Sequence, residues 1–395
     1  KPIYLQGYNT GVVRDMLIYA NPVNNSNKPM EMDKDKISRM SHDEYLIYKA
    51  YFNKYKDSID YTKWKTQVIV FIDAGQNNVL YPKIDNATLK GVNITGTVQI
   101  YIDGLDKTCS KDITIMQGTE VNVTVDCGII DDVEIWMPNK FGNQKMYNFR
   151  ANFIVDYLRD NGIMKEFGFR TVELIQDPLP GGTAFYFRIN GVNVPMHGSN
   201  WVPSYALDNS NYSVNTASME PIFIALYNSN QNMMRNWGGG IYGQDDFYRL
   251  ANKYGVMIWQ DFMFSDAMYW DNSDFLKSVN KESRDTMRQL QTHPSIAIWG
   301  ANNENGIYCW QGQETEVAFR DLYWKNILDV VALYDVTRPY VSSSPSNGNE
   351  TEQYPCKVYS GNNFFGDIHE YLYDQDCWNT SIYMKGRFVS EYGWQ

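Results

Sequence analysis

From about residue 168 onward, strand-like apolar runs alternate with longer helix-like segments. Runs such as "VMIWQDF", "SIAIWGANNE" and "RFVSEYG" are separated by segments such as "DDFYRLANKYG" and "DFLKSVNKESRDTMRQLQTH". This alternation predicts a parallel sheet, because a helix must carry the chain back between successive parallel strands. Apolar strands that end in polar or acidic residues favour a closed α/β TIM barrel, a (β/α)8 fold, over an open sheet. About seven strands precede Gln395, so we expect residues 161–395 to form a barrel that lacks its last strand.

The residues before the barrel predict smaller β units. Short alternating segments such as "TQVIVFIDAG" and "TEVNVTVDCG" indicate an antiparallel β-sandwich over residues 67–160. Residues 1–23 are typical of the last strands of another sheet domain whose start is absent, and the polar residues 24–66 of an inserted surface segment. The chain has 395 residues, of which 43% are apolar, so two or three cores of ordinary size can form.

Charge and hydropathy argue against two classes of partner. The net charge of -11 and the absence of clustered Lys and Arg disfavour a nucleic-acid backbone, so we expect no nucleic-acid partner. No apolar run approaches the roughly 20 residues that a membrane helix needs, so we expect no membrane span. Lys1 opens no pattern typical of a signal peptide, and we interpret the chain as a piece of a mature protein.

Two features favour the secretory pathway, with a lysosomal or extracellular location. Candidate glycosylation sites begin seven Asn-x-Ser/Thr triplets: Asn24, Asn86, Asn93, Asn122, Asn211, Asn349 and Asn379. Cys109 and Cys127 bracket a segment of strand pattern, as a disulfide between neighbouring strands would. We expect Cys356 and Cys377 to form a second pair, which leaves Cys309 free. The alternative is a cytosolic protein with ordinary buried thiols.

Two glutamates end predicted barrel strands. Glu304 follows the strand Ser295–Trp299 in "HPSIAIWGANNEN", and Glu391 ends the strand Arg387–Ser390 in "GRFVSEYGWQ". Carboxylates at the ends of different parallel strands can face each other across one pocket. A glycosidase needs this pair, because one carboxyl group protonates the leaving oxygen and the other attacks the anomeric carbon. A single glutamate at a strand end is usually a solvated surface residue; two beside aromatic residues favour catalysis.

Other chemistries find less support in the residues. Gly238–Gly240 lacks the Lys-Ser/Thr ending of a phosphate loop, and we interpret it as a tight turn after a strand. Ser204 and Ser390 lack a His partner motif for acyl transfer. The histidines are scattered in sequence, so we expect neither a metal site nor a cofactor. They are His42, His197, His293 and His369.

Five motifs carry a resemblance to a known family. They are "FRINGVNVPMHGSNWVP", "MMRNWGGGIYGQDDFYRLANKYGVMIWQDFMF", "HPSIAIWGANNEN", "GDIHEYLYDQDCW" and "RFVSEYGWQ". In this order they resemble glycoside hydrolase family 2, and within it the β-mannosidase group of animal lysosomal type. The resemblance implies a multidomain enzyme with a sugar-binding jelly roll, an immunoglobulin-like antiparallel β-sandwich and then the barrel. Residues 1–23 would then be the end of the jelly roll.

The resemblance also implies roles for individual residues. Glu304 would be the acid/base and Glu391 the nucleophile of a retaining double displacement. Asn303 would hydrogen-bond the 2-hydroxyl of the sugar. Further substrate-binding positions implied by the motifs are Trp201, Arg235, Trp237, His369, Tyr371 and Trp394. The sequence departs from the family at Ala301, where glycine is usual, and at Asn236, where an apolar residue is common.

The implied substrate is a glycoprotein oligosaccharide that ends in β-linked mannose, cleaved from its non-reducing end without a cofactor. One alternative is a β-galactosidase or β-glucuronidase of the same family, although "GDIHEYLYDQDCW" favours the mannosidase. Another is a catalytically silent carbohydrate-binding glycoprotein. The retained glutamates count against it, and the segment 24–66 keeps it open. The sequence does not indicate the oligomeric state.

Overall fold

The structure, a computed structural model, describes residues 11–24, 59–74, 93–155, 158–159, 162–202, 216–376 and 378–393. The chain divides into two compact units. The first comprises Lys1–Met32, His42–Trp136 and Lys145–Phe169, and the second comprises Asp33–Ser41, Met137–Gln144 and Arg170–Gln395.

The first unit contains two antiparallel sheets. One has the strand order β1 (Val12–Asn24), β2 (Ile59–Asp73), β5 (Glu120–Ile130). The other has the order β4 (Lys107–Met116), β3 (Asn93–Ile102), β6 (Tyr147–Val155), β7 (Leu158–Arg159), and β8 (Ile163–Phe167) also pairs with β6. Buried and more exposed residues alternate along β5 and β6, and the buried side chains of both sheets form one core around Trp64 and Phe149. The alternating segments of the sequence are therefore the strands of a β-sandwich.

The structure corrects the predicted limits of this unit. Strand β1 pairs with β2 through most of its length and buries Met16 in the shared core, so residues 12–23 belong to the sandwich and not to a separate jelly roll. Residues 59–66, assigned from their polarity to the insert, form the first part of β2. The sandwich also continues to Phe169. Residues 1–10 and 25–58 lie outside the described residues.

The disulfide expected between Cys109 and Cys127 is confirmed. Its Cα atoms are 5.1 Å apart, and it joins β4 to β5, which belong to different sheets. Four candidate glycosylation sites have exposed side chains, and whether they carry glycans stays a prediction. They are Asn93, Asn122, Asn349 and Asn379. Asn86 and Asn211 lie outside the described residues, and Asn24 ends β1.

The second unit begins with two small antiparallel elements. A three-stranded sheet has the order β13 (Val192–Val194), β12 (Tyr186–Ile189), β9 (Val172–Ile175), and a hairpin joins β10 (Pro178–Leu179) to β11 (Gly182–Thr183). A second hairpin turns at Asn190-Gly191, where both residues have positive φ and Ile189 pairs with Val192.

A parallel sheet and a parallel strand pair follow. The sheet has the order β14 (Gly198–Trp201), β15 (Met233–Asn236), β16 (Met257–Asp261), β17 (Ile296–Gly300), β18 (Tyr340–Val341), and the pair consists of β19 (Ile368–Tyr371) and β20 (Val389–Gly393). The helices are α1 (Thr216–Asn228), α2 (Asp245–Tyr254), α3 (Ser273–Leu290), α4 (Asn305–Trp310), α5 (Glu316–Phe319), a π-helical segment (Arg320–Ile327), α6 (Leu328–Tyr334), α7 (Asn349–Gln353) and a 3-10 turn (Thr380–Ile382). The predicted alternation of strands and helices is thus present.

Local sequence explains these elements. Every residue of β15, β16 and β17 is buried, as expected for parallel strands that are covered on both faces. Helix α3 begins where the Asn272 side chain accepts a hydrogen bond from the backbone N–H of Phe275, and α2 ends at Gly255 in the left-handed conformation. Among the described residues, none of the helices has the length and apolar character needed to cross a membrane.

Strands β14 and β20 are not paired as neighbouring strands. The side chain of Asn200 donates a hydrogen bond to the backbone carbonyl of Ser390 at 2.9 Å. A cavity of about 920 Å³ is lined by residues of both strands, together with Phe388 and Trp259. The described strands therefore form an open sheet and a separate pair, and the closed barrel stays a prediction.

The second disulfide differs from the expected one. Cys309, expected to be free, pairs with Cys356, and their Cα atoms are 4.7 Å apart. The prediction was wrong because the fold brings the end of α4 to the residues after α7 across a separation of 47 residues. Cys377 lies outside the described residues.

Candidate active site

The turn after β17 presents Glu304. The backbone N–H of Asn303 donates to the carbonyl of Phe264 at 2.9 Å, and the N–H of Glu304 donates to the carbonyl of Ser344 at 2.7 Å. These bonds tie the turn to the residues that follow β16 and β18. Glu304 itself has φ 63° and directly precedes α4. A non-glycine residue with positive φ is uncommon, and such residues cluster at functional sites, so this backbone conformation makes Glu304 a candidate functional residue.

Close packing also explains why β17 ends in glycine. A Cβ atom on Gly300 would lie 2.2 Å from Oδ1 of Asp261. The departure from the family at the next position is tolerated, because Ala301 is buried and does not take a positive φ. Gly238 follows the same rule, since its Cβ would lie 2.4 Å from the carbonyl of Phe264. The interpretation of Gly238–Gly240 as a tight turn therefore fits the close backbone contacts.

Glu391 lies inside a strand rather than after one. Strand β20 runs from Val389 to Gly393, so the expected end of this strand at Ser390 was wrong. In the parallel pair, Glu391 stands opposite His369. This register places Tyr371, two residues further along β19, on the same face, where its hydroxyl donates to Oε2 of Glu391 at 2.6 Å.

The two glutamates meet at His369. Nδ1 of His369 is 2.7 Å from Oε1 of Glu304 and 3.5 Å from Oε2 of Glu391. An oxygen of each carboxyl group lies within 4.8 Å of the other. Retaining glycosidases place their two carboxyl groups about 5 to 5.5 Å apart, whereas inverting enzymes leave about 6.5 to 9.5 Å for a water molecule. The two carboxyl groups therefore approach more closely than in inverting enzymes, which favours the retaining mechanism.

Arg235 links the nucleophile candidate to the rest of the site. Its guanidinium is buried at the centre of β15 and donates to Oε1 of Glu391, to Oδ2 of Asp261 at 2.7 Å and to Oδ1 of Asn303 at 2.9 Å. The Nδ2 of Asn303 in turn donates to Oδ2 of Asp266 at 3.0 Å. These contacts connect Asn303 to Glu391 through Arg235.

The two carboxyl groups have opposite pKa shifts. Burial raises the pKa of Glu304, and the negative charge of Glu391 adds to this effect. Burial would also raise the pKa of Glu391, but the charge of Arg235 and the hydrogen bonds from Tyr371 and Arg235 hold that pKa below its usual value. Glu391 is thus the group that ionises first, and Glu304 is the group that keeps its proton to higher pH.

The pKa values of neighbouring titratable groups are shifted as well. Burial, followed by the charge of Arg235, lowers the pKa of His369 to about 4, so the imidazole is neutral above that pH. Burial raises the pKa of Asp261 to about 7, although Arg235 opposes the shift. Burial also raises the pKa of Asp266, which hydrogen-bonds Glu304. The site therefore contains several carboxyl groups that are close to one another, so the protonation of each depends on the charge of the others.

Most residues implied by the motifs converge in the structure. Those joined by the contacts above are Glu304, Glu391, Asn303, Arg235, His369 and Tyr371. Trp201 ends β14 and packs against Phe247 at a ring distance of 5.6 Å, and Trp237 follows β15. A sugar contact of either tryptophan stays a prediction. Trp394 lies outside the described residues.

Sequence reasoning missed four polar residues of the site: Asp261, Asp266, Ser344 and Asp367. Asp261 had a signal, since it ends the apolar run "VMIWQD". Asp266 and Ser344 lie in loops without a pattern, and each comes to Glu304 or His369 through tertiary folding. His293 lies outside this site, buried against Tyr248 and hydrogen-bonded to Asn252.

Glu304, His369 and Glu391 are also a set whose oxygen and nitrogen atoms lie close enough to hold a cation. Their mutual hydrogen bonds, together with those from Arg235 and Tyr371, explain the arrangement without one. The expectation of neither a metal nor a cofactor stays a prediction.

Comparison with known proteins identifies relatives for most of the chain, although no family model matches it. A "Beta-mannosidase" of Bos taurus is 39% identical over 320 residues, which are 76% of this chain and 36% of that protein. A "Beta-mannosidase" of Mus musculus is 38% identical over 355 residues, which are 86% of this chain and 40% of that protein. The chain thus spans well under half the length of these relatives.

Solved structures share the fold. A β-D-mannosidase from Dictyoglomus thermophilum matches with a TM-score of 0.71 at 23% identity, covering 98% of this chain and 41% of that one. A β-glucuronidase from Bacteroides uniformis matches with a TM-score of 0.59 at 14% identity, covering 92% and 37%. At such identities the similarity concerns the fold alone.

Proposed function

We propose that this chain, a homologue of the β-mannosidases of glycoside hydrolase family 2, carries the catalytic centre of a retaining exo-β-mannosidase. The observation that carries the proposal is the pair Glu304 and Glu391, whose oxygens are within 4.8 Å and whose pKa values are shifted in opposite directions. Such a pair supplies one acid and one ionised nucleophile at the same pH.

The reaction then follows in two displacements. The ionised Glu391 attacks the anomeric carbon, while the protonated Glu304 gives its proton to the leaving glycosidic oxygen as the carbon–oxygen bond breaks. Glu304, now a carboxylate, removes a proton from water, and the water oxygen displaces Glu391 from the sugar. Two inversions give net retention, and Glu304 regains its proton.

Further residues take supporting roles in this proposal. Arg235 keeps Glu391 ionised and directs it, and the Tyr371 hydroxyl supplies a second hydrogen bond. Asn303 offers an amide for the 2-hydroxyl of the sugar, held in place by Arg235 and Asp266. We assign Trp201 and Trp237 to the floor of the sugar pocket, because they end or follow adjacent strands.

We also infer that the second unit is part of a (β/α)8 barrel and that the sandwich is immunoglobulin-like. The sequential order of five parallel strands supports the barrel, as do catalytic groups at the carboxyl ends of strands. We propose terminal β-mannose as the substrate, from the names of the relatives, carried on glycoprotein oligosaccharides as the motif resemblance implies, and a lysosomal or extracellular location. Two disulfides support that location.

The test uses the full-length protein and nitrophenyl β-mannoside, β-galactoside, β-glucoside and β-glucuronide. We expect release from the mannoside, with retention of configuration in the first-formed sugar by NMR. Glu304→Gln and Glu391→Gln should each lose nearly all turnover. Glu282→Gln, the same change at an exposed position on α3, should keep it. Release from another sugar would change the substrate assignment, and no release by a folded protein would favour a carbohydrate-binding role.

A further inference from the structure

Behind the two glutamates lies a buried carboxyl group that the displacement mechanism does not use. Asp367 directly precedes β19 and is completely buried. Its Oδ1 accepts the backbone N–H of Ser346 at 2.8 Å. Its Oδ2 accepts the hydroxyl hydrogens of Ser344 at 2.6 Å and of Ser390 at 2.5 Å. Asp367 therefore acts as an acceptor toward all three neighbours.

These contacts determine which hydrogen lies between Ser344 and His369. The Oγ of Ser344 is 3.0 Å from Nε2 of His369. A serine hydroxyl has a single hydrogen, and the shorter contact, to Asp367, uses it. A weaker alternative at 3.3 Å directs it to Ser390, which also leaves none for His369. Ser344 can then only accept, so Nε2 of His369 carries the hydrogen.

The tautomer of His369 sets the character of its contact with Glu304. A neutral imidazole has one N–H, and burial keeps His369 neutral. With the hydrogen on Nε2, Nδ1 presents a lone pair at 2.7 Å from Oε1 of Glu304. Two acceptors at this distance would repel each other, whereas a protonated Glu304 forms a good hydrogen bond.

We propose that Asp367 is a positioning residue that, through Ser344, fixes the tautomer of His369 whose Nδ1 accepts the acid proton of Glu304. The chain of contacts thus favours the form of Glu304 that the first displacement requires. The other charged or titratable groups that face Glu304 and His369 are Asp266, Glu391 and Arg235. None of these contacts Ser344 in the network, so the tautomer follows from Asp367. The inference rests on the proposed glycosidase function.

Asp367→Asn tests the proposal because it reverses the direction of the hydrogen bond between the side chain at position 367 and Ser344. The backbone N–H of Ser346 is a fixed donor, so the amide oxygen of Asn must face it and the amide NH2 must face Ser344. Ser344 then accepts from the amide and donates its own hydrogen to Nε2. His369 is left with its hydrogen on Nδ1, where it stabilises the ionised form of Glu304.

The measurement is kcat/KM of the full-length protein against pH, with two substrates. For a β-mannosyl disaccharide, whose leaving oxygen needs a proton, the alkaline limb should move down by about one pH unit, so kcat/KM on the alkaline side of the optimum should fall by up to about tenfold. For dinitrophenyl β-mannoside, whose leaving group needs little protonation, kcat/KM should fall by less than about twofold. Ser344→Ala should move the limb in the same direction, since Nε2 loses its acceptor.

Ser390→Ala is the matched control, because it removes the other hydroxyl on Oδ2 of Asp367 and keeps the path from Ser344 to His369. Its alkaline limb should stay at the wild-type pH. If Asp367→Asn and Ser344→Ala lower kcat/KM equally for both substrates with no shift of the limb, the residues are merely structural and the inference is overturned. A wild-type protein that cleaves neither mannoside would instead refute the proposed function.

Discussion

Removing the hydroxyl of Tyr371 should raise the pKa of Glu391, the proposed nucleophile. Tyr371 donates to Oε2 of Glu391 at 2.6 Å and helps keep the pKa of that carboxyl group low. A hydrogen bond to a charged group contributes about 1.5 to 3 kcal/mol. Because Tyr371 is 41% exposed, we take the lower end of this range. One pKa unit corresponds to about 1.4 kcal/mol, so Tyr371→Phe should raise the pKa of Glu391 by about one unit.

The direction of the shift in the pH profile follows from which protonation state of Glu391 is active. In the proposed mechanism Glu391 attacks as a carboxylate, so activity is expected to be lost as the pH falls through its pKa. A raised pKa therefore moves the acid limb of kcat/KM for nitrophenyl β-mannoside to higher pH by about one unit. The alkaline limb, which reports Glu304, should remain in place because Tyr371 donates to Glu391.

Tyr373→Phe is a matched control for this experiment. The Tyr373 ring stacks on Tyr371 at a centroid distance of 5.9 Å, and the change deletes the same kind of hydroxyl from a neighbouring ring. Its acid limb should coincide with that of the wild type. The reasoning would be refuted if the acid limb of Tyr371→Phe did not move, or if both limbs moved together.

Three further changes test the packing around the site and in the sandwich. Asp261→Ala leaves the buried Arg235 with one carboxylate fewer and should lower the free energy of unfolding, measured by urea denaturation, by about 3 kcal/mol. A variant as stable as the wild type would contradict a stabilising ion pair. Cys309→Ser should lower the free energy of unfolding by about 2 to 4 kcal/mol, and mass spectrometry of the oxidised protein should identify a peptide that joins Cys309 to Cys356. Trp64→Ala should cost about 3 to 5 kcal/mol by the same urea measurement, because the indole is completely buried in the sandwich core.

Patterns with a short period were predictable from the sequence. Alternation of apolar residues predicted the sandwich strands, and the apolar runs of β15 to β17 predicted a parallel sheet. The glutamates were found because both stand in or beside such strands, next to aromatic and amide residues. Local chemistry suffices for these predictions, since the period of the pattern depends on neighbouring residues alone.

Contacts between distant segments were not predictable in this way. The start of β2 is polar, so it was assigned to the insert and its pairing with β1 was not predicted. Polar residues can form a strand there because their side chains are partly exposed. The partner of Cys356 depended on where α4 packs, and no spacing rule decides that. The candidate domain limit at residue 23 failed for the same reason.

The sequence by itself determined the type of chemistry, because two glutamates, an adjacent Asn303 and the order of the motifs point to one class of sugar hydrolysis. The motif resemblance implied that Glu304 is the acid, but only the tertiary structure supplies a physical reason for the proposed assignment. Glu304 and Glu391 are chemically identical in the sequence, and their pKa values diverge because burial and the charge of Glu391 raise that of Glu304, whereas Arg235 and Tyr371 hold that of Glu391 low. Electrostatic interactions depend on distance and burial, which arise when β15, β17, β19 and β20 come together.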